Sequence, residues 1–227
     1  MLQHATLFTF IVSTLGWITF SYLYISIGEH QIHKRFMHGK CLPEWMYKAS
    51  PYLLDVFEAH GVRHHTIWYK DFDYETDNIG REENLEIPLK ETILMIVAAL
   101  PLWAPIFLFS VYGGCIFLVT SLVHNRLWSI LHRQMHIPRN VFFKNWTLYK
   151  FIARNHFMHH QNNRGNFNVA FPFADFIFKS RTKPTHKDIR EMLRLGYINP
   201  KSNKTRKLIE RLRLATDLRR QNALHAT

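Results

Sequence analysis

Basic charge is missing from two long stretches of this 227-residue chain. Of its 29 Lys and Arg residues, none precedes Lys34 and none lies between Lys90 and Arg126. Charge of either sign is absent from Ala5 to Ile27 and from Thr92 to Val123. Runs of roughly 18 or more apolar residues are long enough to span a bilayer, so the scarcity argues against a wholly water-exposed chain. Cysteine is nearly absent as well. Cys41 and Cys115 alone make no disulfide framework and fit no thiolate metal spacing, and a reducing compartment is compatible with both. A cleavable leader needs a basic start and a small-residue cleavage site. The first apolar run has neither, so it is read as a retained anchor.

The basic residues present are segregated, eight in Lys34–Lys90 and 21 in Arg126–Arg220. By the positive-inside tendency both blocks face the cytoplasm and the N-terminus lies opposite. The uncharged stretch between them must then go in and come back. A single helix of 32 residues would be about 48 Å long, too long for one straight crossing of a core about 30 Å thick. Pro101 and Pro105 stand where a bend is needed. Three spans are expected, at about 5–27, 90–107 and 108–128, or one span and a shallow hairpin. The net charge of +12 is accounted for by anionic lipid headgroups. No nucleic-acid recognition module is legible, so no nucleic-acid partner is expected.

Imidazole is what the sequence has in excess. Eleven of 15 histidines fall in four clusters: His30/His33/His38, His60/His64/His65, His132/His136 and His156/His159/His160. A neutral imidazole is the commonest side-chain metal ligand, and helical positions i, i+3 and i+4 share a face. The spacings nominate His33, His38, His60, His64, His65, His132, His136, His156, His159 and His160 as ligands. Ten imidazoles exceed what one ion can coordinate, so two ions are expected. His60 and His64 should share a face, with His65 turned about 100° away toward the second ion. His33 and His38, about 140° apart on an ideal helix, converge only if the helix ends near Met37–Gly39. His30 reads equally as a ligand or as a hydrogen-bond partner behind one. His124 lies on the side of His132 but deeper in the membrane, where an ionisable group is a functional candidate, and it reads as a further ligand or as a hydrogen-bond partner behind one. Carboxylates are sparse, with Glu29, Asp55 and Glu58 nearest, unlike the soluble di-iron bundles.

Residues 70–81 and 162–172 read as loops, the second folding back on the fourth cluster. Thr185 and Asp188 form a capping-box pattern opening a helix that stops near Gly196. A second helix after Asn203, with Leu208, Ile209, Leu212, Ala215 and Leu218 on one face, is read as a brace on the bilayer or the domain. The chain thus divides into a membrane domain, 1–180, and a basic helical tail, 181–227.

The order H-x4-H, H-x3-HH, H-x3-H, H-x2-HH around an apolar hairpin resembles the integral-membrane fatty acid hydroxylase and sterol desaturase superfamily. His156-Phe-Met-His159-His160, then Asn166-Phe167-Asn168, Phe171-Pro172 and Asp175, is similar to its closing signature. His33–Gly39 and His60–His65 also resemble the carotenoid hydroxylase branch. The resemblance implies an all-α integral membrane enzyme: one N-terminal span plus a helical hairpin under a cytosolic helical cap that carries a dinuclear site. It implies two iron ions, with zinc able to replace them in purified protein, and O2 as co-substrate. Asn166 and Asp175 become candidates behind the ligands; no catalytic residue beyond the metal centre is nominated. The expected reaction is hydroxylation of a C–H bond in a fatty acyl, sphingolipid or isoprenoid chain taken sideways from the bilayer, with Trp17, Phe20, Trp103, Phe107 and Trp128 as candidate slot residues. Desaturation or carotenoid hydroxylation is the alternative within that chemistry. A membrane zinc hydrolase or metal-binding protein is the alternative outside it. No haem domain precedes the first apolar run, so a separate electron-donor protein is expected. One departure stands out: where the family often has Gly-Thr after the aspartate, this chain has Phe178-Lys179-Ser180-Arg181.

Overall fold

The computed structural model describes residues 2–69, 72 and 85–211, with side chains from Thr6 onward; those residues form helices and connecting loops, with no strand among them. Helix α1 (Leu2–Ile32) is apolar on every side rather than along one stripe. Little of its apolar surface is buried, and Phe8, Phe10 and Leu15 stand outward. A helix of that kind is stable where its surroundings are apolar. Its 31 residues extend about 46 Å, so its last turns project beyond a core about 30 Å thick.

Short helices α2 (Glu44–Ala49) and α3 (Pro51–Phe57) lead into the second histidine cluster. Helices α4 (Leu89–Ala98) and α5 (Leu100–Phe109) are bent 73° to one another. The break falls at Ala99. Pro101, in the first turn of α5, has no N–H to continue the ladder of α4. Trp103 Nε1 bridges the bend to the Ile96 carbonyl (2.7 Å). Ser110 alone separates α5 from α6 (Val111–His136), its Oγ accepting from Gly113 N (3.0 Å) as an N-cap. The uncharged stretch is therefore broken at Ala99 and again at Ser110, close to the turn expected near 107/108, and α6 runs on to His136.

Helices α1 and α6 are long and apolar enough to cross a membrane, as is the bent pair if it forms one span. Contacts between α1 and α6 climb in the same order on both: Thr14 with Tyr112, Tyr24 with Phe117, Glu29 with His124. The two helices run side by side in one direction and bring their histidines to the same end. The bent pair starts at that end, where Ile87 N donates to Ser129 Oγ (3.1 Å), and finishes at the far end, where Ile106 and Phe109 face Ser13 and Gly16.

Helix α7 (Thr147–Gln161) returns across the histidine end. Its buried face, including Ile152, Ala153 and Phe157, joins Phe72, Met135, Met192 and Tyr197 in the main core. Burial of a side chain such as Phe157 contributes about 2–3 kcal/mol. Helix α8 (Phe173–Ile177) follows the 162–172 loop, and α9 (His186–Arg194) packs on α7. Both halves of the Thr185–Asp188 capping box form, and Gly196 ends this segment at φ 78°. Tyr197 Oη donates to the Met135 carbonyl (3.1 Å), so the tail braces α6 as well. Residues 203–211 are helical. Leu212, Ala215 and Leu218, and the 70–81 loop apart from Phe72, lie outside the described residues.

Candidate metal centre

Two π-helical segments set the histidine geometry. The first, His33–Met37, continues α1; the second, Glu58–Trp68, continues α3. His38 N donates to the His33 carbonyl (3.1 Å) and Tyr69 N to the His64 carbonyl (2.9 Å), each a step of five residues. The widened turn stacks i over i+5, a device common at functional sites. His33 and His38 thus converge, and so do His60 and His65. This corrects the expected partition of the second cluster: His60 pairs with His65 across the π turn, and His64 is the one turned toward the other group. The two π segments touch at Gly61, where a β-carbon would stand 2.7 Å from the Met37 carbonyl oxygen.

All ten nominated histidines come together, in two groups of five. His33, His38, His60, His65 and His159 form one; His64, His132, His136, His156 and His160 form the other. Within each group one ring nitrogen from every histidine lies within 4.8 Å of the others. The groups abut where His65 stacks on His160 at 3.9 Å between centroids. Among the described residues both groups are purely imidazole. These clusters could hold metal ions.

Backbone carbonyls fix the tautomers of four of the ten histidines. His33 Nδ1 bonds the Phe167 carbonyl; His132 Nδ1 bonds that of Leu85 (3.1 Å), His136 Nδ1 that of Phe72 (2.8 Å) and His159 Nδ1 that of Gly165 (2.8 Å). A carbonyl only accepts, so each Nδ1 carries the proton and each neutral ring turns the lone pair of Nε2 inward. Those Nε2 atoms meet other ring nitrogens: His33 and His60 at 2.8 Å, His38 and His159 at 2.8 Å, His136 and His156 at 3.0 Å. Two nitrogens at right angles on an ion, each bound at about 2.0–2.1 Å, stand about 3 Å apart. The observed separations match that spacing, so each group could hold an ion without moving its rings. His64 and His160 have both ring nitrogens buried with no hydrogen-bond partner among the described residues, as has His132 at Nε2. Unpartnered buried polar atoms are costly, and a cation at each centre would satisfy them.

Burial is the main force on the ring protons. It pushes His38 down to about 3, with help from His159, and His159 down to about 4 against the opposing Gly165 carbonyl bond. Burial and neighbouring imidazoles hold His60, His64, His65, His156 and His160 well below 6.5. The rings are neutral near pH 7, as metal binding requires. The sign of the pH effect follows. Below 6.5 the unfolded chain takes up protons that the folded rings refuse, so this contribution is complete above 6.5 and shrinks as pH falls toward 4. Metal-free protein should show a melting temperature that declines steadily from pH 7 to pH 5; an unchanged or rising value would contradict this burial.

The 162–172 loop is helix-free and folds back on His159 through Gly165, as the sequence predicts. Asp175 holds it in place. Its carboxylate accepts from Phe167 N (2.8 Å), Asn168 N (2.9 Å), Asn155 Nδ2 (3.1 Å) and Ser180 Oγ (2.6 Å). Asn166, at φ 59°, donates from Nδ2 to Asn155 Oδ1 and accepts from the backbone and hydroxyl of Thr182. His30 belongs to neither group. Its Nε2 donates to Ser180 Oγ (2.9 Å), 3.6 Å from Asp175. His124 also stands apart, buried 3.5 Å from Glu29.

The departure at Phe178–Arg181 leaves the loop exit intact. Lys179 takes the left-handed backbone conformation, φ 51°, that glycine adopts freely, and the Ser180 hydroxyl reaches Asp175. Lys179→Gly should stabilise the fold by up to about 1 kcal/mol, the relieved strain exceeding the added freedom of the unfolded chain. A lowered melting temperature in that variant would show that the lysine side chain matters more than its backbone.

Sequence reasoning missed Glu29 as a site residue. Its carboxylate accepts from Val169 N (2.7 Å) and Asn168 Nδ2 (2.9 Å), pinning the same loop to α1. One signal was available: Glu29 is the sole acid before Glu44, one helical turn before His33. Of the five aromatics nominated for a substrate slot, Trp17 and Phe20 line an open cavity of about 460 Å³ with Ser13, Gly16, Pro105, Ile106 and Phe109. Trp103 and Phe107 pack within the hairpin, and Trp128 packs on His132 (4.4 Å). No family model, characterised protein or solved structure matches the chain.

Proposed function

We propose that this is a membrane di-iron oxygenase that hydroxylates a C–H bond of a lipid, akin to the fatty acid hydroxylase and sterol desaturase superfamily that its motifs resemble. The observation that carries the reading is the pair of abutting five-imidazole groups at one end of two apolar helices. The donor set would suit two iron ions, one for each group of five, because neutral imidazole is a good ligand for iron. A closed tetrahedral zinc site would need only four protein ligands and a catalytic one three, so ten overshoot both. Bound iron would supply the O2 activation and two-electron oxidation that no side chain here can perform alone.

The balance is RH + O2 + 2 e⁻ + 2 H⁺ → ROH + H2O, with electrons from a separate donor protein. The chain contributes position and exclusion. The Phe167, Gly165, Leu85 and Phe72 carbonyls orient four ligand rings, and burial keeps bulk water from the centre. The Trp17–Phe20 cavity offers apolar room for part of a chain entering sideways from the bilayer. The basic segments argue that the centre lies on the cytoplasmic side, with the spans making a multi-pass protein.

Membranes containing the protein, given a reductase system and ¹⁸O2, should yield lipid carrying one ¹⁸O atom. A desaturase would consume O2 and leave its product unlabelled. Full-rate product without oxygen would exclude both.

A further inference from the structure

Helix α8 carries a surface that the metal centre does not use. Phe171, Phe176, Ile177 and Phe178 all stand exposed, the last three at nearly half of their area. Asp175, Ala174 and Pro172, between them, point inward and are buried. So many exposed aromatics on five helical residues and their flanks would be a liability in water.

Two tethers set the depth of this surface against α1. Tyr22 Oη donates to the Phe171 carbonyl (3.1 Å), and Ala174 N donates to Ser26 Oγ (3.3 Å). Tyr22 and Ser26 belong to the last turns of the uncharged run that ends at Gly28. At 1.5 Å per residue they lie within about 9 Å of its end. That is the depth, about 5–10 Å, at which interfacial helices bury an apolar face at the headgroup and acyl boundary. Charge changes sharply after the aromatics. Lys179 and Arg181 are exposed, and the Arg181 guanidinium lies over the Phe176 ring at 4.4 Å. Aromatics at the boundary with cations just beyond are the arrangement expected beside anionic headgroups.

We propose that α8 is an interfacial anchor, seated in the leaflet on the histidine side with Phe171, Phe176, Ile177 and Phe178 in lipid and Lys179 and Arg181 on anionic headgroups. The reading does not depend on the oxygenase assignment. It gives the bilayer a mechanical hold on the Asp175 loop, since α8 contains Asp175 and the same segment presents the Gly165 and Phe167 carbonyls to His159 and His33.

Spin labels on the full chain in lipid nanodiscs test it, in a Cys41→Ser, Cys115→Ser background. Labels at Phe176→Cys and Phe178→Cys should be reached by O2 and shielded from a water-soluble nickel chelate, like a label at Leu15→Cys on α1. A label at Lys187→Cys on α9 should show the reverse. Chelate access at 176 and 178 equal to that at 187 would overturn the proposal. Shielding from both O2 and chelate would also overturn it, indicating a second copy of the chain on this face. Discs with anionic lipid should seat the two labels deeper than zwitterionic discs, and Lys179→Gln with Arg181→Gln should abolish that difference. Equal depth in both lipids would refute the headgroup contact.

Discussion

Protein loaded with iron or zinc is expected to carry two ions per chain, and single ligand removals should empty one site at a time. His38→Ala, in the group with His33, His60, His65 and His159, should lose one ion of two. His156→Ala, in the group with His64, His132, His136 and His160, should lose the other. The expectation rests on the partition made by the π turns, under which no histidine is shared between groups. Spectroscopy of a paramagnetic ion would then show a different remaining site in each variant. His30→Ala and His124→Ala should keep both ions, because their nitrogens face Ser180 and Glu29 instead. Metal analysis of detergent-purified protein settles the count. One ion in the parent protein, or loss of both ions from either variant, would show that the two groups form one site.

The features legible in the sequence are those that depend on neighbours along the chain. Ala5–Ile27 lacks charge whatever it packs against, and Thr185–Asp188 caps a helix through atoms three residues apart. All ten clustered histidines were nameable because imidazoles at helical spacing have few other reasons to recur. Their partition was not legible, because the ideal helix was the wrong ruler. A π turn pairs residues five apart, and nothing local in His60-Gly-Val-Arg-His64-His65 announces one. It is fixed from outside, where Gly61 lets the Met37 carbonyl approach. The same limit applies to Glu29, whose partners Asn168 and Val169 are about 140 residues away. At the hairpin the prolines marked a bend, but its position at Ala99 reflects the whole turn that Pro101 disables rather than the proline itself.

The second large effect is expected at a residue that touches no metal. Asp175 is fully buried, and its two oxygens accept four hydrogen bonds, from Phe167 N, Asn168 N, Asn155 Nδ2 and Ser180 Oγ. Asp175→Asn keeps the shape but replaces one acceptor oxygen with an amide that can only donate. Whichever way the amide turns, it meets a backbone N–H, from Phe167 on one side or Asn168 on the other. Placing donor against donor in a buried network should cost about 3–5 kcal/mol. The damage should be directional. The Phe167 carbonyl orients His33 and the Gly165 carbonyl orients His159, both ligands of the first group, whereas the second group takes its carbonyls from Leu85 and Phe72. Asp175→Asn is therefore expected to release the first ion while retaining most of the second, and to raise the pH needed for metal retention. Glu29→Gln, which loosens the same loop from α1, should do so more weakly. If Asp175→Asn keeps both ions with unchanged affinity, the loop does not position His33 and His159. If it loses both equally, the aspartate supports the fold as a whole rather than one side of the centre.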